Sequence, residues 1–187
     1  TEADLVALNT ETVSYVSGQF GPTDIPYVVD GRGALPGLVA MVETALDILD
    51  NDPDGFFLMV EAGRIDDACH EHNIQKTVYE VRELSDAVAR AQAWAEGRMD
   101  TVILVTADHE TGGLRVVSEN GVNQLPTVSW STSYHTTTNV PLYAWTGWPA
   151  LGSIGASGTV RGVVDNTDFV DILHATDPRR YAELPLK

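Results

Sequence analysis

Hydrophobic side chains recur at helical spacing in two stretches of the chain. The first stretch runs from Leu38 to Leu49, and the second, longer one runs from Ile74 to Ala95. The stripe in the second stretch consists of Val78, Val81, Leu84, Val88 and Ala91. Apolar residues spaced in this way fall on one face of a helix, and a glycine such as Gly97 commonly follows the end of one. We therefore predict two amphipathic helices, at 38–49 and at 74–95.

Two shorter apolar runs have the pattern of strands that are covered on both faces. They are Phe56–Val60 and Thr101–Ala107, and neither shows the alternation of a half-exposed strand. The second predicted helix lies between them in the sequence. A strand, a helix and a strand in that order form the βαβ unit of a parallel sheet, with a right-handed crossover. The predicted fold class is therefore α/β, with a largely parallel sheet flanked by helices.

The last part of the chain is predicted to be richer in short strands. Three β-rich pieces follow the second strand, namely LRVV, PTVSW and VPLYAW. A final helix is predicted from about Thr167 to His174, with Asp165 or Asn166 as its N-cap. Residues 1–34 carry turn signals without a clear periodicity. Since no linker or repeat divides the sequence, residues 1–187 are predicted to belong to a single domain.

Acidic and imidazole side chains follow both predicted strands. Asp66 and His70 come after the first strand, and Asp108 and His109 come directly after the second. Because ligands of open parallel sheets bind at the carboxyl ends of the strands, we expect the two pairs to approach each other. Asp66 and His70 are four residues apart and would share one face of a helix. Zinc accepts both carboxylate oxygens and imidazole nitrogens, so the pattern predicts a metal site.

Two further residues extend this predicted site. His135 lies in the polar stretch STSYHTTTNVP and is a candidate third ligand for either pair. Glu61 would suit an oxygen-only site, such as one for magnesium. Asp108 and His109 can serve one ion only if the backbone turns sharply, which the Thr-Gly-Gly after Glu110 permits.

Each candidate ligand also has an ordinary alternative role. Asp66 or Asp108 could cap a helix. His109 could be a hydrogen-bonded core histidine, and His70 could be solvated on a helix face. The joint placement of the two pairs after two strands favours the metal site over these separate roles. His72 is interpreted as a solvated bystander.

Composition narrows the choice of partners. The 187 residues include 11 basic and 27 acidic ones, and the formal net charge of −16 disfavours nucleic acid and anionic membranes. The single cysteine, Cys69, excludes an intrachain disulfide and is interpreted as a small buried hydrophobe. No apolar run approaches the roughly 20 residues of a membrane-spanning helix. The chain begins with Thr1 and not with Met, which indicates a processed or truncated start.

Four motifs in series resemble the C-terminal half of the alkaline phosphatase family. They are FFLMVEAGRID with a histidine four residues after the aspartate, VTADHETGGL, YHTTTNVPLYAWTG and GVVDNTDF. FGPTDIPYVVD is a weaker match to a segment further upstream, so the resemblance runs from about residue 16 to about residue 175. It implies a largely parallel sheet between helices. It also implies hydrolysis of phosphomonoesters at a centre with two zinc ions and one magnesium ion.

The resemblance implies a role for each candidate ligand. The ligands of the first zinc ion would be Asp66, His70 and His135. The ligands of the second zinc ion would include Asp108 and His109. Magnesium would be bound with the help of Glu61. Only the first ion would therefore find all its protein ligands in this chain.

The chain also departs from the family's pattern. Ala62 stands where glycine is usual, and Asp67 lies where family members differ and would tune the affinity for metal or phosphate. No segment matches the family's nucleophilic serine, the aspartate that bridges the second zinc and magnesium, or the arginine that binds phosphate. The N-terminal half of the same enzyme is therefore expected as a partner of this chain. Without it, apolar surface would remain uncovered.

The remaining expectations follow from the same resemblance. Small phosphomonoesters and inorganic phosphate would be the ligands, the complete enzyme would be a homodimer, and its location would be periplasmic or extracellular. A non-catalytic metal-binding or structural protein of the same fold is the alternative. Relatives that act on phosphodiesters or sulfate esters are a further one.

Overall fold

The computed structural model describes residues 1–146 of the chain. The helices are α1 (Glu2–Val6), α2 (Leu38–Leu49), α3 (Arg64–His70) and α4 (Ile74–Ala95), with a 3₁₀ turn at Val28–Asp30. The strands are β1 (Val102–Val105), β2 (Glu110–Thr111), β3 (Arg115–Ser118), β4 (Thr127–Ser129), β5 (His135–Thr136) and β6 (Tyr143–Thr146). The predicted final helix at 167–174 lies outside the described residues. Within residues 1–146, no helix has the length and apolar character needed to cross a membrane.

The two predicted amphipathic helices, α2 and α4, are confirmed with the predicted bounds. Leu38, Val42 and Leu46 of α2 are buried in one cluster with Ala87 of α4, and Leu84 and Ala91 of the predicted stripe pack against it. Val78 and Val81, also predicted for that stripe, are exposed. Burial of a leucine or valine side chain contributes about 1.5–3 kcal/mol, so this cluster is a main source of stability.

The predicted strand at Phe56–Val60 is not formed. Phe57 and Met59 are 71% and 70% exposed, although the ring of Phe56 packs on Trp94 at a centroid distance of 5.8 Å. A strand of this composition needs neighbouring strands for its backbone and layers on both faces for its side chains. Residues 1–146 provide no paired strand for it, and the prediction is wrong for this part of the chain.

The described strands form three separate two-stranded sheets. β1 pairs with β6, β2 with β5 and β3 with β4, and each pair is antiparallel. The predicted strand at 101–107 is confirmed as β1, and the three β-rich pieces correspond to β3, β4 and β6. The predicted parallel sheet is not confirmed within residues 1–146.

The chain divides into two compact units. The first combines Thr1–Trp94 with Asp108–Val140, and it contains every candidate metal ligand. The described part of the second unit consists of residues 95–107 and 141–146. There β1 and β6 pair along their four residues, and Ala144 is buried.

An arginine and two glutamates tie the N-terminal end of α2 to α4. Arg32 donates hydrogen bonds to Glu83 and, at 3.3 Å, to Glu80. Glu80 also accepts from the backbone N–H of Val28 at 2.7 Å, and Glu83 accepts from that of Leu38 at 2.9 Å. The side chains of Arg32 and Glu80 are 12% and 4% exposed. Removal of one partner would leave a buried charge unpaired, at a cost of about 3–5 kcal/mol.

Tyr27 holds α3 at both of its ends. Its ring is buried between the guanidinium of Arg64, 3.8 Å from the ring centroid, and the ammonium of Lys76, at 4.0 Å. Its hydroxyl donates to Glu71 at 2.8 Å. Burial and the hydrogen bond to Glu71 raise the pKa of the hydroxyl, which keeps its proton. Because Arg64 begins α3 and Glu71 is its C-cap, this one side chain fixes the position of the helix.

Candidate metal centre

Helix α3 presents two of the candidate ligands on one face. Asp66 and His70 are one turn apart, and the Asp66 Oδ2 atom lies 3.2 Å from His70 Nε2. The intervening Ala68 and Cys69 are buried, so the helix packs through small side chains and turns the acid and the imidazole outward. Burial raises the pKa of the Cys69 thiol, and the interpretation of this residue as a small buried hydrophobe is confirmed.

Strand β5 brings His135 to this pair of residues. The pairing of β2 with β5 places His135 opposite Thr111. His135 Nε2 then lies 3.0 Å from His70 Nε2 and 3.5 Å from Asp66 Oδ1. One ligand atom each of Asp66, His70 and His135 lie within 4.8 Å of one another. Three residues that are up to 69 positions apart in sequence therefore converge on one point.

The spacing of these ligand atoms suits a zinc ion. Because Zn–N bonds are about 2.0–2.1 Å long, two nitrogens of a tetrahedral site lie about 3.3 Å apart. The two imidazole Nε2 atoms, at 3.0 Å, come close to that separation. The side chains of Asp66, His70 and His135 are 38%, 34% and 46% exposed, so the group is open to solvent on one side. Three protein ligands with room for a fourth are typical of a catalytic zinc site.

A backbone carbonyl orients the ring of His70. The Nδ1 atom lies 2.7 Å from the carbonyl oxygen of Ser133. Since a carbonyl only accepts, Nδ1 donates to Ser133, and Nε2 is the ring atom that faces Asp66 and His135. Metal-binding histidines usually have such a second hydrogen bond, which fixes both the tautomer and the ring orientation.

Thr111 connects the three-residue group to His109, and the sequence reasoning missed it. Its hydroxyl donates to Asp66 Oδ1 and lies 3.2 Å from His109 Nδ1. Because the hydroxyl has one proton and gives it to Asp66, it accepts from His109. The ring of His109 also stacks on that of His135, with centroids 3.5 Å apart. Nothing in the local pattern marks Thr111, since its role depends on strand pairing.

Asp108 and Glu61, like His109, lie outside the three-residue group. Asp108 is next to His109, with Oδ2 3.2 Å from His109 Nε2, and its side chain is 85% exposed. Glu61 is exposed and precedes α3. Asp67 accepts a hydrogen bond from Arg64 at 2.7 Å, so its carboxylate is engaged at the start of α3.

Glu110 stabilises the turn that follows β2. Its carboxylate accepts from the backbone N–H groups of Gly113, at 3.2 Å, and Leu114, at 3.1 Å, and from the Thr136 hydroxyl. Burial opposes its charge, but these three hydrogen bonds outweigh burial and lower the pKa of the carboxyl. Glu110 therefore stays ionised and connects the turn after β2 to β5.

Gly112 allows the sharp turn that the sequence indicated after His109. It has a φ of +89°, and a Cβ atom there would lie 2.5 Å from the Trp130 ring. Its N–H donates to the Tyr134 carbonyl at 3.0 Å, and its carbonyl accepts from Ser131, at 3.0 Å, and from Thr132, at 3.2 Å. One glycine thus holds the loop that leads to His135, and a side chain at this position would disturb the loop.

The side chain of His72 is exposed, as its interpretation as solvated predicted, and it lies outside the three-residue group. Its ring nevertheless stacks on Trp130 and hydrogen-bonds the backbone of Thr132. Thr132 is 60 residues away in sequence. No local pattern indicates such a contact.

Comparison with known proteins agrees with this geometry. The alkaline phosphatase family model matches residues 1–123. The alkaline phosphatase of Gadus morhua is 41% identical over 107 residues, which cover 57% of this chain and 22% of that protein. The chain belongs to the alkaline phosphatase family. It spans only 20–22% of the length of the first curated relatives that it matches.

Solved structures show the same kinship. A magnesium-bound mutant of the alkaline phosphatase from the Antarctic bacterium TAB5 is 29% identical, with a TM-score of 0.57. The match covers 65% of this chain and 37% of that one. A cold-active alkaline phosphatase from Shewanella sp., 22% identical, has a TM-score of 0.75 and covers 95% of this chain and 58% of that one. The likeness to this last structure shows the fold alone, and the predicted α/β class is confirmed.

Proposed function

We propose that this chain hydrolyses phosphomonoesters as the C-terminal part of an alkaline phosphatase. The observation that carries the proposal is the convergence of Asp66, His70 and His135, with ligand atoms within 4.8 Å of one another. Family membership alone would support phosphatase chemistry only in a general way. The three-residue group adds a donor set that fits zinc, on a surface that is open to a substrate.

Each residue of the group has a proposed part. Asp66 and His70 hold one zinc ion from α3, and His135 completes the set from β5. When bound, zinc polarises a phosphoryl oxygen and lowers the pKa of a coordinated water. Ser133 keeps the lone pair of His70 directed at the ion, and Thr111 holds the carboxylate of Asp66.

We extend the proposal to a second zinc ion and to magnesium. Asp108 and His109 contribute to the second zinc ion, and this is supported by the stacking of His109 on His135. Two adjacent metal ions suit an in-line displacement, in which each stabilises one of the two apical oxygens. Glu61 contributes to a magnesium site, which is supported by the presence of magnesium in the TAB5 mutant structure.

An N-terminal half supplies the remaining machinery in this proposal. The nucleophilic serine and the arginine that binds phosphate have no match in this chain, as described above. The exposed apolar segment, Phe56–Val60, supports a polypeptide partner because Phe57 and Met59 are 71% and 70% exposed. A homodimer of the complete enzyme outside the cytoplasm, acting on small phosphomonoesters, remains a prediction of the family resemblance.

The proposal is tested with the intact protein, N-terminal half included. Asp66→Asn keeps the size of the side chain but removes its charge. We expect it to lower the bound zinc by one equivalent and the hydrolysis of p-nitrophenyl phosphate by at least about 10³-fold, since loss of one metal disables a two-metal mechanism. Glu119→Gln, the same change at an exposed residue of the turn between β3 and β4, should alter neither quantity. Wild-type zinc content in Asp66→Asn would contradict the proposed site.

A non-catalytic metal-binding protein is the second candidate. It is favoured by one observation, namely that the three-residue group is assembled from this chain alone. Under this alternative the intact protein would bind one zinc ion tightly and would not hydrolyse p-nitrophenyl phosphate. Phosphodiesters and sulfate esters are tested in the same assay. Faster hydrolysis of either would assign the intact protein to the phosphodiesterases or to the sulfatases.

A further inference from the structure

His72 occupies an unusual backbone conformation at the end of α3. Its φ is +52°, in the left-handed region, which is uncommon for residues other than glycine and in which asparagine, aspartate and histidine are enriched. Its N–H donates to the Cys69 carbonyl at 3.0 Å, and the N–H of the next residue, Asn73, donates to Ala68 at 3.0 Å. Such a turn is more easily made by glycine.

The ring of His72 makes two contacts with the loop that precedes β5. It stacks on the indole of Trp130, with centroids 5.1 Å apart and the planes inclined by 12°. Its Nε2 lies 2.7 Å from the Thr132 carbonyl oxygen and 3.4 Å from the Ser133 hydroxyl. Since the carbonyl only accepts, Nε2 donates to Thr132. The 2.7 Å separation is that of a well-formed hydrogen bond.

This bond lies next to the one that orients a candidate metal ligand. The carbonyls of two consecutive residues, Thr132 and Ser133, accept from His72 and His70 respectively. These carbonyls belong to adjacent peptide planes that are separated only by the φ and ψ angles of Ser133, so anchoring the first carbonyl limits how far the second can move. His135, two residues after Ser133, belongs to the same short connection.

We propose that His72 is a positioning residue of the metal centre. With Trp130 it holds the loop so that the Ser133 carbonyl meets His70 Nδ1 and His135 reaches Asp66. It does not touch the metal, and it acts through the loop. The inference rests on the metal site of the proposed function and assigns to it a residue that the resemblance leaves without a role.

The test measures metal affinity in the intact protein with cobalt(II) as the probe. Affinity is determined by competition with a chromophoric chelator, and visible absorption reports the ligand geometry. The relevant signal is the part that Asp66→Asn removes. His72→Gly removes the ring and also relieves the left-handed backbone. We expect cobalt affinity about tenfold lower, an altered spectrum, and an unchanged or raised melting temperature of the metal-free protein.

Three further variants make the result specific. His72→Phe keeps a ring to stack on Trp130 but has no donor, so it should also weaken cobalt binding. His72→Gln provides an N–H donor for the Thr132 carbonyl and should recover part of the affinity. Asn123→Gly is the matched control: Asn123 also has a left-handed φ, +60°, in the turn between β3 and β4, and this change should leave cobalt binding as in the wild type.

The outcomes separate this inference from the proposed function. Cobalt affinity of His72→Gly within twofold of the wild type would overturn the positioning role and leave the metal site intact. A lower melting temperature of the metal-free variant with unchanged affinity would show a merely structural role and would also overturn it. If the wild-type protein binds no cobalt that depends on Asp66, the proposed function and this inference both fail.

Discussion

Two neighbouring stretches of the first unit differ sharply in how complete their surroundings are. Several polar groups of α3 and its C-terminal turn find specific partners among the described residues, including Tyr27, Ser133 and Thr132. The exposed apolar segment just before it, Phe56–Val60, has an aromatic contact to Trp94 and leaves two of its large side chains in solvent. Polar groups of α3 thus have partners within the described residues, whereas Phe57 and Met59 have little apolar cover there.

The difference reflects the physical demands of the two stretches. A ligand helix is oriented by a few directional hydrogen bonds, each of which needs only one correctly placed atom. A strand covered on both faces requires hydrogen-bonded neighbours and two apolar layers, which are large surfaces. The candidate ligands Asp66, His70 and His135 therefore lie close together in this chain, although apolar side chains of the nearby segment Phe56–Val60 are exposed.

The largest predicted effect concerns the exposed apolar segment. Phe57→Ala in the intact protein should lower the free energy of unfolding by about 3–5 kcal/mol, because Phe57 would then be covered by the N-terminal half. Chemical denaturation by urea measures the change. Leu46→Ala, in the buried cluster of α2 and α4, is the control and should cost about 2–5 kcal/mol in any case. A cost below about 0.5 kcal/mol for Phe57→Ala would mean that the segment stays exposed.

An intermediate effect is predicted for metal removal, which should act on α3 and on the loop before β5. With free zinc at 100 times its dissociation constant, binding stabilises the protein by about 2.7 kcal/mol, and a chelator should abolish that contribution. Hydrogen exchange should then accelerate at Thr132 and Tyr134, which lie in the loop before β5. The amides of Val42 and Leu46 in α2 sense metal removal only through global unfolding, so their exchange should accelerate by no more than the roughly 100-fold that about 2.7 kcal/mol allows. A larger acceleration in α2 than in the loop would contradict the local character of the site.

The smallest effect is predicted for Tyr27, which contacts both ends of α3. Tyr27→Phe removes the hydrogen bond to Glu71 and should lower the melting temperature at pH 7 by about 2–4 °C. Hydrogen bonds from Lys76 and Tyr27 lower the pKa of the Glu71 carboxyl below its ordinary value of 4.5. The stability that they contribute is therefore present above pH 4.5 and is lost as the pH falls through the lowered pKa.

The pH dependence provides the control for this last experiment. The difference in melting temperature between wild type and Tyr27→Phe should be constant from pH 6 to pH 8 and should shrink below pH 4.5. A difference that stays the same at pH 3 would show that Tyr27 acts through packing between Arg64 and Lys76, and not through Glu71.

The sequence predicted those features that depend on local pattern. The bounds of α2 and α4 follow from apolar periodicity, which each helix carries within its own residues. The strand at Phe56–Val60 was predicted wrongly for the described residues, because the same apolar run requires partners that no local pattern contains. Thr111 and His72 were missed since their contacts arise from strand pairing and ring stacking between distant parts of the chain. Of the six candidate ligands, the structure brings Asp66, His70 and His135 together, and the ligand roles of all six stay predictions.

The first turn of α2 has a consequence for how this protein folds. Gly37, its N-cap, has no side chain with which to cap the helix, and the N–H of Leu38 is satisfied by Glu83 of α4, 45 residues further along. The first turn of α2 is therefore capped by a residue of α4, and this cap exists only while the two helices are packed together. The two helices should therefore gain their structure together as one cooperative unit.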